Sequence, residues 1–450
     1  MATKYVQGVP VRPFARFPRL ANGLWAVVAG VLPSAAALAQ LTSDQIPRAR
    51  AVPAEEGIKQ QVSRSRFRLG PIHLLPTLSV TNAGYDDNVY GSPEGGAKTA
   101  DWSANITAGA KWIVPIGKKM YAAGEALPQY IWYRELTGRR TFGGTYTASL
   151  LGFFNRMFLQ ARGYSSKTFG VVSTETETQV VEDARDGSAN LELDLSRALS
   201  AFAGAEVRRA RLHLAGQVPS LPVDVKQLDR DEGVARGGIR YRISPEWDVT
   251  AAVEGSQAKF VETPDQRNNQ SIAYLVGVHY NRPRFFANLS AGRREGRPYQ
   301  GSAFPKYTIT AYSYFLSYFL TRNLEAQGFG QRGISYGSVL TGNIEAGNLY
   351  YVGTTNGGGL NLQIHPRLLL RGQAEYGTND FPFPVLIGDV LRNRTDKILI
   401  VGGGFSALVY RKVVFTASAS RFHYDSPFPG LTRTIIRYTT GLSFEGELAR

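Results

Sequence analysis

Beyond residue 70, apolar and polar side chains alternate along the chain in short runs. In ANLELDLS (189–196), every second residue is apolar, and Asn, Glu, Asp and Ser occupy the positions between. The same alternation runs through 235–242 and 432–445. Successive side chains of a β-strand point to opposite faces, so these runs predict strands with one apolar and one polar face. A water-soluble sandwich has the same local pattern, so alternation alone leaves the fold open.

Turn signals between the runs narrow the choice. Eight short turn-forming segments recur, at 115–119, 155–156, 196–200, 244–247, 281–284, 321–323, 365–367 and 410–412. Longer polar, glycine-containing segments separate them, among them 172–186, 215–231, 261–270 and 378–396. Eight short turns on one side and nine longer loops on the other imply eighteen strands. The predicted fold is therefore all-β: a transmembrane, antiparallel, up-and-down β-barrel with short periplasmic turns and longer extracellular loops.

One face of several predicted strands is suited to contact with lipid. In 102–114, the apolar positions form a single stripe, and about ten residues of tilted strand rise roughly 25 Å, the height of an outer-membrane apolar band. A second stripe, rich in tyrosine, runs through 308–320. Aromatic residues typically mark both interfaces of such a band. The residues predicted for these girdles are Trp102, Trp112, Tyr312 and Tyr438.

The first 39 residues differ from the rest of the chain. Four basic residues precede an apolar run over 20–32 that is too short to span a membrane, and Ala37-Leu38-Ala39 forms an A-x-A cleavage site. We expect a cleaved signal peptide over 1–39, a periplasmic N-terminal linker over 40–70 and the outer-membrane β-barrel over 71–450. The mature protein is expected to be integral to the outer membrane.

Composition excludes some kinds of site and suggests partners. The 450-residue chain has no cysteine, which removes disulfides, thiolate metal ligands and cysteine nucleophiles. Its formal charge is +15, and loss of the four basic residues of the signal peptide leaves +11. In an exported protein this excess favours anionic envelope partners, such as outer-membrane lipid and lipopolysaccharide, over nucleic acid. The sequence leaves the oligomeric state open.

The polar faces of the strands would line a lumen that eighteen strands make wide enough for water. Each charge there could pair with a neighbouring strand and simply keep the wall polar, which is the better interpretation for any single residue. As a set, the arginines could instead pass carboxylate or phosphate groups by forked hydrogen bonds. The candidates for lumen-lining or selectivity residues are Lys111, Arg162, Arg236, Arg240, Arg242, Arg371, Arg433, Arg437, Glu125, Glu192, Glu254 and Glu375.

No catalytic, cofactor or metal site is predicted, and the protein is not expected to be an enzyme. The five histidines are scattered over separate hairpins without metal-ligand spacing. The glycine runs at 354–360 and 401–405 lack the Lys-Ser/Thr of a phosphate loop. Asp86, Asp87 and Asn88 could bind calcium or lipopolysaccharide-bridging cations. We interpret them instead as a strand end, where such side chains hydrogen-bond the backbone of a turn.

The segment FRLGPIHLLPTLSVTNAGYDDNVYG (67–91) resembles the opening of the beta-barrel porin type 2 family. Members of that family typically begin with a G-x-F/I-x-L-x-P-x-L strand that ends in Y-D-S/D-N-V-Y/F. With the hairpin repeats that follow, the resemblance covers residues 60–450. It implies a role in exopolysaccharide or capsule export, with the polysaccharide and a periplasmic polysaccharide export protein as partners. The architecture is also similar to the eighteen-stranded alginate exporter type.

The function expected from these observations is a channel that passes a polar or anionic polymer through a basic lumen. A general diffusion porin for small solutes is one alternative. An outer-membrane scaffold or enzyme of polysaccharide biogenesis is another.

Overall fold

The structure is a computed structural model that describes residues 55–65, 67–171, 179–214, 225–337, 349–387, 390–410, 412–428 and 431–445. The predicted signal peptide and the first part of the predicted linker lie outside the described residues. Among the residues that the structure describes, no helix is both long and apolar enough to cross a bilayer.

Eighteen long strands form the wall of the molecule. They are β1 (Ile72–Asp86), β2 (Asp101–Ile116), β3 (Met120–Tyr133), β4 (Thr141–Phe153), β5 (Met157–Val171), β6 (Gln179–Asp194), β7 (Leu199–Leu214), β8 (Arg230–Arg242), β9 (Trp247–Phe260), β10 (Asn269–Arg282), β11 (Phe285–Pro298), β12 (Tyr307–Phe319), β13 (Leu324–Tyr336), β14 (Tyr350–His365), β15 (Leu368–Asp380), β16 (Thr395–Tyr410), β17 (Val413–Asp425) and β18 (Arg433–Glu445). Short strands at Phe67–Leu69, Val385–Ile387 and Val390–Arg392 lie outside this series.

Each strand is the antiparallel neighbour of the next, and β18 pairs with β1, so the sheet closes on itself. The predicted eighteen-stranded antiparallel barrel is confirmed. β1 carries one irregularity: its register shifts against both neighbours around Asn82, whose φ is 51°. An extra residue of this kind bends a strand and increases its twist, here on the strand that closes the barrel.

Strand pairing assigns residues to two faces, because directly opposite residues point to the same side. The outer face carries large apolar side chains that are more than half exposed, among them Val207 (65%), Tyr274 (53%) and Val276 (58%). A water-soluble protein rarely exposes so continuous an apolar surface, whereas a wall that faces lipid requires it. The inner face carries most of the charged residues of the strands.

Eight short turns join strand pairs at one end of the barrel, the turn rim, and nine longer connections lie at the other end, the loop rim. All eight predicted turns fall between strands as predicted. The four named loops were predicted too long, because each included strand residues: 179–186 belong to β6, 230–231 to β8, 269–270 to β10, and 378–380 and 395–396 to β15 and β16. Residues 172–178, 215–224 and 388–389 of these predicted loops lie outside the described residues. On β6 to β9 the outer face becomes polar near the loop rim, where Asp183, Arg185, Arg209, Asp231 and Lys259 lie, so the alternation that marks a strand disappears at these strand ends.

A ten-residue helix, α1 (Glu55–Arg64), lies inside the turn-rim mouth, within the segment predicted to be a linker. Ile58 is 3% exposed and packs in one cluster with Leu75, Ile113, Tyr121 and Leu151. Pairing places these four residues on the inner face of β1 to β4. Val62, four residues after Ile58, joins the same cluster. That i, i+4 apolar pair, the two glutamates of the first turn and the i, i+4 pair of Glu55 with Lys59 are the helical signals of this polar segment.

At the loop rim, the β13–β14 hairpin leaves the wall and enters the mouth. β13 pairs with β14 up to its last residue, Tyr336, but with β12 only up to Arg332. The Tyr336 ring lies 4.9 Å from that of Phe260, and the Tyr350 ring lies 5.4 Å from that of Tyr307. Phe260 and Tyr307 belong to the inner face of β9 and β12. The end of the hairpin, residues 333–337 and 349–353, therefore packs against the inside of the barrel, and we call it the β13–β14 tip. Residues 338–348 lie outside the described residues.

Other connections hold this tip in place. A 3-10 turn, Val225–Leu228, packs its apolar residues into the cluster that contains Tyr336. A single helical turn, α2 (Pro264–Arg267), ends in a fully buried arginine. The Arg267 guanidinium donates to the main-chain oxygen of Gly337, 3.0 Å away, at the end of the hairpin tip.

Candidate functional site

The lumen is the candidate site, because the inner face collects the charged residues predicted from the sequence. All twelve predicted candidates lie on this face by their strand pairing: Lys111, Arg162, Arg236, Arg240, Arg242, Arg371, Arg433, Arg437, Glu125, Glu192, Glu254 and Glu375. Their role in selecting solutes stays a prediction.

Two of the predicted arginines on β8 reach across β7 to side chains on β6. Arg240 Nη1 lies 2.5 Å from Glu192 Oε1, and Arg236 Nη2 donates to Asn190 Oδ1 at 3.2 Å. Gly204 of β7 makes the second contact possible, because a Cβ there would approach both Arg236 and Asn190 closely. The guanidinium groups therefore extend along the wall and are held there by partners.

A second charged pair lies on the same wall, nearer the loop rim than the pair of Arg240 and Glu192. Arg294 Nη2 is 2.5 Å from Glu254 Oε1, and the two side chains are 3% and 1% exposed. Arg294 also donates to Ser271 Oγ at 2.9 Å. Sequence reasoning named Glu254 but missed Arg294. The period-two pattern of β11 would have placed Arg294 on the inner face, since it lies directly opposite Ala273 of β10.

A third group lies close to the loop rim. Arg208 Nη2 lies 2.6 Å from Glu182 Oε1, and Asp186 lies 3.7 Å from Arg208 Nε. Arg230 Nε pairs with Glu232 Oε1 at 2.8 Å. Sequence reasoning missed these residues, in part because 172–186 and 215–231 were assigned to loops.

The inner wall of β6 to β11 is not basic. Within the described part of these strands, eight carboxylates and six guanidinium groups face inward: Glu182, Asp186, Glu192, Asp194, Glu206, Glu232, Asp248 and Glu254 against Arg208, Arg230, Arg236, Arg240, Arg242 and Arg294. The basic excess inferred from the arginines alone is therefore wrong for this wall. The interpretation in which the charges pair with one another and keep the wall polar describes it better, although the pairs Arg240–Glu192 and Arg294–Glu254 each skip one strand.

The other predicted residues are spread around the remaining walls. Lys111 lies directly opposite Glu125 on β3. Arg433 is 1% exposed and stacks on Tyr424, with its guanidinium carbon 4.2 Å from the ring centroid. Arg433 therefore packs within the loop-rim wall. The structure does not bring Arg162, Arg371, Glu375 or Arg437 to the charged wall of β6 to β11; they belong to β5, β15 and β18.

Three of the four predicted girdle residues lie towards the rims on the outer face. Trp102 and Tyr438 flank Tyr85, which is opposite both of them, and the Tyr85 and Trp102 rings are 5.6 Å apart. Trp112 lies near the turn rim, against Gly124 of β3. Tyr312 lies nearer the middle of β12, where its hydroxyl is 3.4 Å from Asn356 Oδ1.

The acidic residues at the end of β1 bind protein groups. Asp86 Oδ1 accepts the Asn88 N–H at 2.9 Å, which closes an Asx turn. Asp87 Oδ1 accepts the main-chain N–H of Ile436 at 2.7 Å. Asn88 is buried and exchanges two 2.8 Å hydrogen bonds with the backbone of Ser92. Among the described residues, no cluster of three or more histidine, aspartate or glutamate side chains is placed to hold a metal ion.

A closed antiparallel barrel of eighteen strands, apolar outside and charged inside, is the architecture of outer-membrane β-barrel proteins. The chain is similar in fold to solved structures of Pseudomonas aeruginosa OccK2 (OpdF). In complex with glucuronate, OccK2 matches with a TM-score of 0.50 at 11% identity, covering 84% of this chain and 99% of OccK2. A second OccK2 structure gives 0.50 at 12% identity, covering 84% and 98%. Acinetobacter baumannii OccAB3 gives 0.48 at 10% identity, covering 83% and 99%.

At these identities the likeness concerns the fold alone. No protein-family model matches the chain. No curated protein matches it either. The barrel architecture is thus confirmed, whereas the comparisons give no support to the resemblance of residues 67–91 to the beta-barrel porin type 2 family.

Proposed function

We propose that this protein is an outer-membrane channel for small polar solutes that carry a carboxylate. One observation carries the proposal: the mouth of the lumen is narrowed by the β13–β14 tip, and the wall of β6 to β11 holds Arg236 and Arg240 in fixed positions through Asn190 and Glu192. No chemical step is proposed.

The exposed apolar residues of the outer face support a membrane location. Such side chains are favourable in hydrocarbon and costly in water. Trp102 and Tyr438, 49% and 54% exposed on that face near the loop rim, would lie at the interface. In outer-membrane barrels the short turns face the periplasm, so the loop rim would be extracellular.

The narrowed mouth favours a selective channel over a general diffusion porin. Tyr336 and Phe260 meet across the mouth although their strands are four apart around the wall, so the packed tip spans part of the opening. Helix α1 occupies part of the opposite mouth. A solute that crosses both mouths must come close to the walls, where charged side chains can discriminate among solutes.

The paired arginines suit a carboxylate. A guanidinium group has five N–H donors in a planar fork, and Glu192 occupies one nitrogen of Arg240 in the hydrogen bond described above. The eight carboxylates on the same wall outnumber its six guanidinium groups, so an anion would be held weakly enough to leave. Conduction requires such weak, repeated binding. OccK2, to which this chain is similar in fold, was solved in complex with glucuronate.

Export of an anionic polysaccharide is the second candidate, and it rests on the opening segment 67–91. The same arginines would serve a polyuronate, since each sugar unit of that polymer carries one carboxylate. The two candidates differ in solute length: a polymer must pass both narrowed mouths as a continuous chain.

Solute flux into liposomes tests the first candidate. We expect wild-type barrels to admit glucuronate faster than glucose. We expect Arg236→Gln with Arg240→Gln to lower the glucuronate rate by roughly three- to tenfold, which corresponds to losing about 1 kcal/mol, the net contribution of one typical hydrogen bond, with little change for glucose. Arg421→Gln, the same type of change on the outer face of β17, is the matched control.

Equal rates for glucuronate and glucose, unchanged in the double variant, would contradict selectivity and favour a general porin. Threading of a long polyuronate, seen as lengthy current blocks in a planar bilayer when the polymer is added on the turn-rim side, would favour export. A barrel that conducts no ions would leave the scaffold role as the better explanation.

A further inference from the structure

Two adjoining hollows lie on the outer face of β6 to β12, where a lipid-facing wall is expected to be convex and smooth. The smaller, about 330 Å³, is lined among others by Arg185, Arg209, Asp231, Gly233 and Lys259. The larger, about 950 Å³, is lined by two adjacent cross-strand rows of residues from β7 to β12. The two share Val207, Gly233 and Gln257, so they form one continuous groove. We call this the outer groove.

The outer groove exists because glycine and alanine occupy outer-face positions where other residues would place larger side chains. Gly233 and Gly255 occupy outer-face positions, and a Cβ added at either would meet no atom within 4 Å. Ala205 and Ala235 continue the shallow floor on β7 and β8. The floor of the outer groove is therefore made of glycine and alanine positions at which no side chain fills the space above the strands.

Cations cluster at the loop-rim end of the smaller hollow. Arg185 of β6 lies directly opposite Arg209 of β7, and Arg209 lies opposite Asp231 of β8, which in turn lies opposite Lys259 of β9. Like charges directly opposite each other destabilise a sheet. Yet the Arg185 and Arg209 side chains are 70% and 61% exposed and lie side by side on the outer face. An anion between them would remove that cost.

The carboxylates nearby do not balance these cations. Asp231 is shared, at 3.2 Å from Arg209 Nε and 2.8 Å from Arg211 Nη2, while Lys259 lies opposite it on the next strand. Asp183 lies 3.7 Å from Arg185 Nε. The patch therefore keeps a positive excess at the outer surface. Arginine forks match phosphate oxygens, and grouped basic residues at a membrane surface attract anionic headgroups.

Along the strands, the outer groove has charged residues at the loop rim and apolar residues further from it, as a lipid has a charged headgroup and an apolar tail. Lys259 is the penultimate residue of β9, and Arg297 at the far end of the outer groove is the penultimate residue of β11, so both lie at the loop rim. Val207 and Ile272, which line the outer groove nearer the turn rim, are 65% and 39% exposed within the apolar face. The charged end thus lies where headgroups would be, and the floor continues into the apolar band.

We infer that the outer groove binds a phosphorylated lipid of the surrounding leaflet, with its phosphate between Arg185, Arg209 and Lys259 and an acyl chain over Gly233 and Gly255. The inference rests on the membrane location proposed above, and it does not depend on transport. Bound lipid would be part of the outer surface of the barrel.

Native mass spectrometry of the detergent-solubilised barrel, with diphosphoryl lipid A as the probe, tests the inference. We expect retained lipid on the wild-type protein. We expect at least tenfold weaker retention on Arg185→Gln/Arg209→Gln/Lys259→Gln. Lys118→Gln/Arg197→Gln/Arg322→Gln removes three exposed cations from the turn rim and is the matched control, for which wild-type retention is expected. Equal retention by the two triple variants would overturn the inference.

A second variant separates the acyl site from simple anion attraction. Gly233→Phe fills the floor while every cation stays, and its added Cβ meets no neighbour, so the barrel is expected to fold. It should lose lipid A retention and still attract inorganic phosphate. Lipid retention by Gly233→Phe at the wild-type level would overturn the acyl part of the site. Ion conductance of the same variants should equal that of wild type, which distinguishes failure of the lipid site from failure of the channel proposal.

Discussion

The Asp86 carboxylate accepts a hydrogen bond from Nε of Arg437 at 2.7 Å, and this contact joins the first strand of the barrel to the last. Both residues point inward from the β1–β18 seam and lie directly opposite each other. Asp87 reinforces the seam, since it accepts the backbone N–H of Ile436. The two acidic residues that could have indicated a metal site are thus part of the closure of the barrel.

Loss of this pair should weaken the seam. The Asp86 and Arg437 side chains are 12% and 17% exposed, so Asp86→Asn leaves a largely buried guanidinium without its carboxylate. We expect a loss of about 2 kcal/mol in the free energy of unfolding, between the values for exposed and buried pairs. Denaturant titration in lipid, with Asp425→Asn at the exposed end of β17 as control, measures the difference. A double variant with Arg437→Gln that loses the sum of the single effects would show that the pair is not coupled.

Gly84 should be essential to closure. An added Cβ at Gly84 would overlap the main-chain oxygen of Tyr438 on β18, so Gly84→Ala must push the closing strands apart. Gly163→Ala on β5 is the matched control, because a Cβ there meets nothing within 4 Å. We expect Gly84→Ala to lower the yield of folded, heat-modifiable barrel on gel electrophoresis and Gly163→Ala to leave it unchanged. Equal yields would mean that the seam tolerates a wider separation.

Arg267 should control the width of the loop-rim mouth. Its side chain is fully buried and donates to the main-chain oxygen of Gly337 at the end of the β13–β14 tip. Arg267→Met removes these donors, so the tip should detach more often and the single-channel conductance should rise. Arg284→Met, in an exposed turn at the other rim, controls for loss of charge. A lower or unchanged conductance would argue that the tip is held by its aromatic contacts alone.

Helix α1 should restrict the turn-rim mouth. Ile58→Glu places a carboxylate in the cluster with Leu75 and Ile113, which costs several kcal/mol unless the helix leaves the wall. We expect a larger conductance and faster proteolysis within 55–64. Lys59→Gln changes an exposed residue of the same helix and should have no effect. The chain has no cysteine, so a cysteine pair introduced at Ile58 and Leu75 has no competing thiols. Oxidation of this pair should hold the helix against the wall and lower the conductance relative to the reduced variant.

Sequence alone could predict the parts of the fold that repeat. In strands such as 189–196, apolar and polar residues alternate strictly because one face of the strand lies in apolar surroundings. The eight turns carry local sequence signals. Inner-face positions followed from the same parity, which is why every predicted charged candidate lies there. The ends of β6 and β8 were not predictable in this way, because both faces are polar near the loop rim.

The features that could not be predicted from the sequence depend on contacts between segments that are distant along the chain. Helix α1 packs onto β1 to β4 through two apolar residues, too few to stand out from a polar linker. The pairing of Arg240 with Glu192 depends on register across three strands, which composition does not reveal. A list of arginines therefore suggested a basic lumen, whereas the strands place a carboxylate beside most of the guanidinium groups of this wall.

The structure of the β13–β14 tip determines how fast the loop-rim mouth can change its width. Its ladder runs unbroken to Tyr336 and Tyr350, so the element that narrows the mouth is a hydrogen-bonded hairpin. A hairpin of this kind moves as one body, and such collective motions take microseconds or longer, whereas free loops rearrange in nanoseconds. A small solute would therefore meet an aperture that is fixed during its passage, and discrimination would depend on the shape of that aperture rather than on how often it opens.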